Sequence, residues 1–226
     1  MTGIEQQQID YYRARAGEYD EWFLRRGRYD QGPENNGSWF TEAEVLRERL
    51  AELGPLGRVL ELAAGTGIWT ERLIRQAEGV HCIDAAPETA AVNRARNPSP
   101  SITHEVADLF DWRPRDRYDT VFFGFWLSHV PEHRFEPFWE TVAGALAPGG
   151  RVFFIDSRPD QTSTAPEHLV DDSGYQVRRL NDGRSFRIVK RYYEPDVLQG
   201  RLRRLGWAVE VGSTPRYFLW GTGGRA

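Results

Sequence analysis

The sequence predicts an α/β fold built on a mostly parallel β-sheet. From Arg58 onward, short apolar runs alternate with helical segments, which is typical of successive βαβ units. The runs are residues 59–62, 80–83, 118–125 and 151–155. A glycine-containing turn follows the first run, at the sheet edge where open α/β folds bind ligands. We therefore expect residues 55–156 to form a ligand-binding core.

Residues 1–54 are expected to form a helical cap over this core. Residues 6–23 have helical spacing, whereas residues 32–37, with two glycines and a proline, favour a loop. Thr41 is a good N-cap with a glutamate three residues later, so a helix is expected from Thr41 to about residue 53.

Residues 157–226 are expected to carry an inserted β-hairpin and a closing pair of strands. Asp182 and Gly183 lie between segments of alternating polarity, which is a strong hairpin signal. The predicted elements are hairpin strands within 175–180 and 184–193, a helix at 195–205, and strands at 207–211 and 217–220. Between the core strands, residues 135–146 have the periodicity of a helix that stops before Pro148.

Charge and length favour a small-molecule partner. The chain has 226 residues and a formal net charge of −4, so it has no basic excess with which to bind nucleic acid or an anionic membrane. The longest apolar stretches, such as residues 120–127, are too short to span a bilayer, and the first ten residues lack a signal-peptide core. A cytoplasmic protein without disulfides is expected, because Cys82 is the only cysteine.

The turn after the first strand carries the strongest chemical signal. Gly65 and Gly67 allow the backbone to approach a ligand closely, and Glu61 at the strand end suits a cofactor with an ammonium group. Asp84 ends the next strand, where a carboxylate accepts hydrogen bonds from ribose hydroxyls. A nicotinamide dinucleotide site would need a third glycine or alanine where Thr70 stands, so that alternative is disfavoured.

A third acidic position, Asp108, comes where the following strand should end. Its carboxylate would meet an adenine amino group, with Leu109 against the ring. Acidic residues at three successive strand ends, together with the glycine turn, indicate an adenosine-containing cofactor more strongly than a lone Gly-x-Gly.

Four parts of the chain resemble the successive motifs of class I S-adenosylmethionine-dependent methyltransferases. They are the segment 61–67, Asp84, Asp108 and the segment 118–155. The pattern departs from the common one at Ala63, which replaces the first glycine. The resemblance implies a Rossmann-like, mostly parallel seven-stranded sheet and S-adenosyl-L-methionine (SAM) as the cofactor. The cofactor contacts it implies are Tyr12, Glu61, Ala63, Gly65, Gly67, Asp84, Ala85, Asp108, Leu109 and Phe125.

A narrower resemblance covers most of the chain. Residues 11–20, 126–131 and 182–190 are similar to the small phosphonate O-methyltransferases of dehydrophos biosynthesis, a natural-product pathway; residues 25–36 differ most. It implies an acceptor with an acidic oxygen, faced by His129, Arg178 and Lys190.

The residues themselves give partial support to this acceptor site. Lys190 is the only lysine in the chain and shares the face of Ile188 by strict alternation, so it either binds an anion or protects a strand edge by reaching outward. Arg178 and Arg179 lie on opposite faces, so alternation sends one of them inward. Arg184 and Arg187 remain alternatives.

His129 follows the strand that ends near Phe125. It either donates a hydrogen bond to the acceptor, acts as a general base for a phenol or amine, or is a structural histidine. The other histidines show no ligand spacing, so no metal is expected. The aromatic residues of the cap either line a lid or pack it on the core; they are Tyr11, Tyr12, Tyr19, Trp22 and Trp39.

The sequence thus favours methyl transfer to an oxygen of a small acidic metabolite, a phosphonate or a carboxylate. An ionised oxygen needs cationic donors and no general base. The alternatives are N- or O-methylation of a neutral aromatic or amine with His129 as base, and a cofactor-binding protein without catalysis. Residues 124–127 lack the Asn/Asp-Pro-Pro-Tyr/Phe sequence with which nucleobase methyltransferases grip the target nitrogen.

Overall fold

A seven-stranded sheet forms the centre of the computed structural model, which describes residues 3–165, 168 and 173–226. Its strands are β1 (Gly57–Leu62), β2 (Ala77–Asp84), β3 (Ile102–Val106), β4 (Tyr118–Gly124), β5 (Leu146–Ser157), β8 (Trp207–Ser213) and β9 (Phe218–Arg225). Their order is β3-β2-β1-β4-β5-β9-β8. The strands β1 to β5 are parallel to one another. At one edge of the sheet, β9 pairs antiparallel with β5 on one side and with β8 on the other. The predicted architecture, including the closing strand pair, is confirmed.

A two-stranded antiparallel hairpin stands apart from this sheet. It pairs β6 (Tyr175–Arg179) with β7 (Ser185–Val189) across the Asp182-Gly183 turn, as predicted. Lys190 lies one residue beyond β7, and its N–H donates to the carbonyl of Gly174 at 2.9 Å. The side chain that was expected on the strand therefore lies at the point where the hairpin joins the rest of the fold.

Alternation along the strands separates two hydrophobic cores, one on each face of the sheet. Phe123 and Phe154 point into one core with α6 (Phe135–Ala145) and α7 (Pro195–Arg204), whereas Phe122 and Phe153 point into the other with α3 (Gly32–Glu52) and α4 (Thr70–Leu73). The helices are α1 (Gly3–Arg15), α2 (Tyr19–Phe23), α3 (Gly32–Glu52), α4 (Thr70–Leu73), α5 (Pro87–Arg96), α6 (Phe135–Ala145) and α7 (Pro195–Arg204). Short 3₁₀ turns occur at Gly27–Tyr29, Leu127–His129, Glu132–Arg134 and Gln161–Ser163.

The loop predicted at residues 32–37 is wrong, because α3 begins at Gly32 and Thr41 lies inside the helix. Proline is favourable in the first helical turn, so Pro33 does not prevent the start. The Asn36 side chain accepts a hydrogen bond from the Gln31 N–H at 3.1 Å, and Trp39 is fully buried. Tertiary packing therefore extends the helix through a segment whose composition favours a turn.

Helix α1 packs on the hairpin at the carboxyl edge of the parallel strands. The Tyr11 ring lies 5.8 Å from that of Phe186, and the Gln8 side chain bonds both the carbonyl of His129 and the N–H of Val189. The cap, the hairpin and the end of β4 therefore enclose the edge of the sheet where a ligand was expected.

Candidate active site

The turn after β1 is built from left-handed backbone conformations. φ is 53° at Ala63, 54° at Gly65 and 84° at Gly67. Glycine adopts such angles freely, whereas alanine at position 63 costs about 1–2 kcal/mol. A Cβ at Gly67 would lie 2.3 Å from the side-chain oxygen of Asn93, so no larger residue fits there. The turn keeps its shape despite the missing first glycine because the surrounding packing holds it.

Asp84 closes this turn against the next strand. One carboxylate oxygen accepts the Gly65 N–H at 2.8 Å, and the other accepts the Ala86 N–H at 2.8 Å and the Thr89 hydroxyl at 2.9 Å. Burial raises the pKa of Asp84, although these donors oppose the shift. The carboxylate is thus held rigidly at the end of β2.

A cavity of about 670 Å³, including its opening to solvent, lies beside Asp84 and is called the large cavity below. Asp108 lines it and uses one oxygen to accept the Phe110 N–H at 3.0 Å. Other predicted cofactor contacts line the same space: Tyr12, Ala63, Gly65, Ala85, Leu109 and Phe125. The structure therefore brings most of the predicted cofactor residues together around one cavity.

Glu61 and Gly67 line a smaller neighbouring space of about 360 Å³, the loop cavity. Glu61 is buried, and its carboxylate accepts the Thr70 hydroxyl at 2.6 Å. Burial raises the pKa of Glu61 to about 8, although the Thr70 hydrogen bond opposes the shift. An ammonium group beside Glu61 would relieve this unfavourable burial by favouring the ionised form.

Phe125 lies where the cavities meet. Its φ of 56° is unusual for a non-glycine residue, and its N–H donates to the carbonyl of Ile155 at 2.8 Å. Its ring packs edge-on against Trp22 at 4.8 Å. Backbone strain of this kind clusters at functional sites, so Phe125 is a strong candidate for shaping the passage between the cavities.

A third space of about 440 Å³, the cationic cavity, shares four residues with the large cavity: Tyr12, Tyr19, Phe125 and His129. Its walls also contain the cationic side chains of Arg15, Arg178 and Lys190, each of which is largely buried. Within the described part of the chain, no aspartate or glutamate lines this cavity. It is therefore a buried, positively charged chamber in a protein of net negative charge.

Lys190 points inward rather than into solvent. Its ammonium donates to the hydroxyls of Ser128 at 2.9 Å and Ser157 at 2.6 Å, and it lies 3.8 Å from a carboxylate oxygen of Asp156. Burial lowers the pKa of Lys190 to about 8, although Asp156 opposes the shift. The alternative of an outward-reaching lysine at a strand edge is therefore wrong.

Arg178 is the inward-facing arginine of β6, whereas Arg179 is exposed. Its guanidinium donates to the hydroxyl of Thr164 at 2.7 Å and lies 2.8 Å from Nδ1 of His168. Its buried Nε has no hydrogen-bond partner among the described residues. Arg184 and Arg187 are exposed and do not line the cavity.

His129 is held between the cap and the hairpin. Its Nδ1 lies 2.7 Å from the carbonyl of Val189 and its Nε2 lies 2.8 Å from the hydroxyl of Tyr12. Because a carbonyl only accepts, Nδ1 carries the proton and Nε2 accepts from Tyr12. Burial, with a further contribution from Lys190, keeps the pKa of His129 well below its usual value, so the ring is neutral.

The comparisons with known proteins agree with this geometry. The family model described as "Methyltransferase domain" matches residues 59–150. The ubiquinone biosynthesis O-methyltransferase of Xylella fastidiosa (strain 9a5c) is 32% identical over 168 residues, which are 72% of this chain and 65% of that protein. The corresponding protein of Xanthomonas euvesicatoria pv. vesicatoria (strain 85-10) is 30% identical over 182 residues, 78% of this chain and 72% of that protein. The match therefore spans slightly less than two thirds of the Xylella protein.

Two solved structures of DhpI match over nearly the whole chain. The complex with SAH is 39% identical, covers 99% of this chain and 98% of that one, and has a TM-score of 0.82. The DhpI-SAM-HEP complex is also 39% identical, covers 98% of each chain and has a TM-score of 0.83. The chain belongs to the S-adenosylmethionine-dependent methyltransferases. It is an enzyme of this family, and SAM is its cofactor.

The residues around the large cavity fit SAM. Asp84 has three protein donors, which leaves about one of the four acceptor positions of a carboxylate for a ribose hydroxyl. Asp108 has one carboxylate oxygen left for an amino group, with Leu109 beside it. Glu61 would balance the cofactor's ammonium. When bound, SAM supplies an electrophilic methyl group on its sulfonium sulfur.

Sequence reasoning missed Arg15, which is buried in the wall of the cationic cavity. The guanidinium lies 5.0 Å from the ring centroid of Tyr19 and donates to the Tyr29 hydroxyl at 3.3 Å. Its position three residues after Tyr12 places both side chains on one helix face, and this spacing was the available signal. Without knowing which face of α1 meets the cavity, Arg15 could not be distinguished from Arg13, which is exposed and paired with Glu88.

Some aromatic residues of the cap line the cavities, and others pack the cap on the core. Tyr12, Tyr19 and Trp22 line the cavities. Tyr11 instead packs under the hairpin, and Trp39 is a core residue whose ring packs on Phe218 at 4.6 Å.

Within residues 3–165, 168 and 173–226, no group of three or more histidine, cysteine or acidic side chains is arranged to hold a metal ion. In the same residues, no helix is both long and apolar enough to cross a membrane.

Proposed function

We propose that this methyltransferase transfers the methyl group of SAM to an acidic oxygen, of a phosphonate or a carboxylate, in a small metabolite. The observation that carries the proposal is the cationic cavity, in which Arg15, Arg178 and Lys190 are buried beside the SAM-binding space. Burying charges without compensation is costly, and an anionic acceptor would provide the missing compensation.

The charge distribution around the cavity favours an anion over a neutral acceptor. The only carboxylate within 4 Å of any of these three cations, among the described residues, is Asp156, which lies behind Lys190. Arg178 lines the cavity, and its buried Nε has no hydrogen-bond partner among the described residues. Negatively charged acceptors bind such a cationic cavity through charge-assisted hydrogen bonds.

The protein's own residues would then orient the acceptor and exclude water, without removing a proton. A carboxylate is fully ionised at neutral pH and a phosphonate carries at least one charge, so the attacking oxygen already has its lone pair available. The aromatic side chains of Tyr12, Tyr19 and Phe125 separate the two cavities and would hold the reacting atoms at close distance in a dry space.

Resemblance supports the same acceptor class. The similarity to phosphonate O-methyltransferases extends to the segments that contribute His129 and Lys190, and the O-methyltransferases among the curated relatives support oxygen as the acceptor atom. We also propose that the partners are small metabolites rather than nucleic acids or membranes.

The alternative, a neutral aromatic or amine acceptor with His129 as general base, is less favoured. Nε2 of His129 already accepts a hydrogen bond from Tyr12, so it would have to be released before it could take a proton. A neutral acceptor would also leave the charges of the three buried cations uncompensated.

A screen with radiolabelled SAM tests the proposal directly. Small phosphonates, carboxylates, phenols and amines of matched size would be compared, with methyl incorporation as the measurement. Turnover confined to the anionic compounds is expected. Turnover of phenols or amines alone would overturn the proposal.

A further inference from the structure

Asp156 lies at the end of β5 and is completely buried. One carboxylate oxygen accepts the Ser128 N–H at 2.7 Å. The other accepts the Ser157 N–H at 2.7 Å and the Ser157 hydroxyl at 3.3 Å. Asp156 thus joins the end of the sheet to the 3₁₀ turn that contains His129.

The same two serines bind Lys190 through their side chains. The ammonium donates to the Ser128 hydroxyl at 2.9 Å and to the Ser157 hydroxyl at 2.6 Å, while the carboxylate of Asp156 lies 3.8 Å away. The backbone N–H of each serine therefore donates to the aspartate and the hydroxyl of each serine accepts from the lysine, while the Ser157 hydroxyl also donates to the aspartate. Lys190 comes from the segment after the hairpin, so this arrangement fixes a side chain of the hairpin region to the central sheet.

The groups around Lys190 show why the carboxylate matters. Arg178 from β6 and Arg15 from α1 both disfavour a charge on Lys190, and burial disfavours it most. His129 is neutral, and Tyr12 and Tyr192 have raised pKa values, so none of these side chains supplies a negative charge near neutral pH. Among the described residues, Asp156 is the group that favours the charged form.

We propose that Asp156 is a positioning residue for the acceptor: with Ser128 and Ser157 it keeps the Lys190 ammonium charged and aimed into the cationic cavity. The inference rests on the proposed function, in which that cavity receives an anionic acceptor. Asp156 does not line the cavity, so it acts through Lys190 and not by touching the acceptor.

A purely structural function for Asp156 makes a different prediction. If the carboxylate only tied β5 to the 3₁₀ turn, its replacement would weaken folding and lower activity equally at every pH. A residue that sustains the charge of Lys190 would instead give a defect that depends on pH, because protonation at lower pH restores the ammonium.

The chain offers an unusually direct measurement, because Lys190 is its only lysine. Protein labelled with ¹³C at lysine Cε gives a single side-chain signal, whose chemical shift follows the protonation of this residue. The titration would be recorded for the wild type, Asp156→Asn and Asp119→Asn. The last is the matched control, since Asp119 accepts the Arg58 N–H at 2.7 Å at the far end of β4.

We expect Asp156→Asn to lower the pKa of Lys190 by at least about one unit, the size typical of losing an adjacent opposite charge. Asp119→Asn should leave it unchanged. An unchanged Lys190 titration in folded Asp156→Asn would overturn the inference. If Asp156→Asn does not fold, Ser157→Ala is the variant to measure. It removes one hydrogen-bond acceptor of the Lys190 ammonium and should also lower the pKa of Lys190. An unchanged Lys190 titration in this variant would overturn the inference.

Kinetics with the acceptor found in the screen give the second readout. The ratio of kcat/KM for Asp156→Asn to that of the wild type should fall about sixfold between pH 6.5 and 8.5, as expected when the pKa of Lys190 falls by one unit from about 8. Comparison at each pH cancels any titration of the acceptor itself. A ratio that does not vary with pH would leave Asp156 a structural residue only.

Methylphosphonate separates this inference from the proposed function. If the cavity binds anions, saturating methylphosphonate should raise the pKa of Lys190 in the wild type. Absence of that response, with the Asp156→Asn shift still present, would count against the anionic acceptor and not against the coupling of Asp156 to Lys190. If methylphosphonate raises the pKa of Lys190 but Asp156→Asn leaves it unchanged, the coupling of Asp156 to Lys190 is rejected and the anion site is retained.

Discussion

The hydroxyl of Tyr12 donates a hydrogen bond to Nε2 of His129 across 2.8 Å, and both residues line the large cavity as well as the cationic cavity. The Val189 carbonyl fixes the other nitrogen as the donor. His129 therefore has both ring nitrogens engaged and is neutral, which is the state of a residue that positions its neighbours.

His129→Gln should retain much of the turnover of an ionised acceptor. Glutamine keeps one donor and one acceptor, so we expect a loss of less than about tenfold in kcat, the range for weakening one neutral hydrogen bond. The pH profile should show no acidic limb near the ordinary histidine pKa of about 6.5. A limb there that vanished in the variant, with a loss of about 100-fold or more, would favour His129 as a general base.

Lys190→Met should impair use of the acceptor and spare binding of SAM. Methionine keeps most of the volume but removes the charge. The fall in kcat/KM should therefore correspond to about 2–4 kcal/mol of lost transition-state stabilisation, mainly through a higher KM. In the wild type, kcat/KM should fall above about pH 8, because the free enzyme binds an anion only while Lys190 is protonated. Steady-state kinetics across pH 6–9.5 test both effects, and an acceptor KM equal to that of the wild type would contradict them.

Arg15→Gln should raise the acceptor KM by about 10–150-fold, which corresponds to the 1.5–3 kcal/mol of a hydrogen bond to a charged group. Arg13→Gln on the same helix is the matched control, because Arg13 is exposed and pairs with Glu88. Equal effects of the two substitutions would show that α1 is merely destabilised.

Asp84→Ala should weaken SAM binding severely, by about 30-fold or more for a loss of 2 kcal/mol. It removes the predicted ribose contact and leaves the N–H groups of Gly65 and Ala86 without their acceptor. Calorimetry with SAM is the measurement. Binding of a nicotinamide dinucleotide and not of SAM would reject the cofactor assignment altogether.

Glu61→Gln should stabilise the SAM-free protein in a defined pH range. Because folding raises the pKa of Glu61 to about 8, the folded state holds a proton that the unfolded state releases above about pH 4.5. Stability due to this group therefore falls as pH rises from about 4.5 to 8, and the substitution removes that loss. Thermal unfolding at pH 5 and pH 8 should show a much larger gain in Tm at pH 8 than at pH 5, whereas SAM affinity should decrease.

The elements that follow a regular sequence period were predictable, and those that depend on distant partners were not. The parallel strands and the Asp182-Gly183 hairpin follow from local patterns, whereas Lys190 is buried beyond the end of β7, where strand alternation does not apply. The start of α3 was missed because Trp39 is buried by partners far along the chain.

The same reason explains the missed site residues. Arg15 and Asp156 carry no motif of their own, and each gains its significance from a side chain on another element. Arg178 was separated from Arg179 by resemblance alone, because alternation fixes opposite faces but does not say which face is buried.

The cations of the cationic cavity and the carboxylates predicted to bind SAM come from different parts of the chain. Glu61, Asp84 and Asp108 lie within the residues that match the methyltransferase family model, whereas Arg15, Arg178 and Lys190 all lie outside them. Under the proposed function, the cap and hairpin therefore supply the cations that bind the acceptor, whereas residues 59–150 supply the carboxylates that bind SAM. Grafting the α1 and hairpin segments together onto a related sheet is accordingly a rational route to a transferase with a new acceptor.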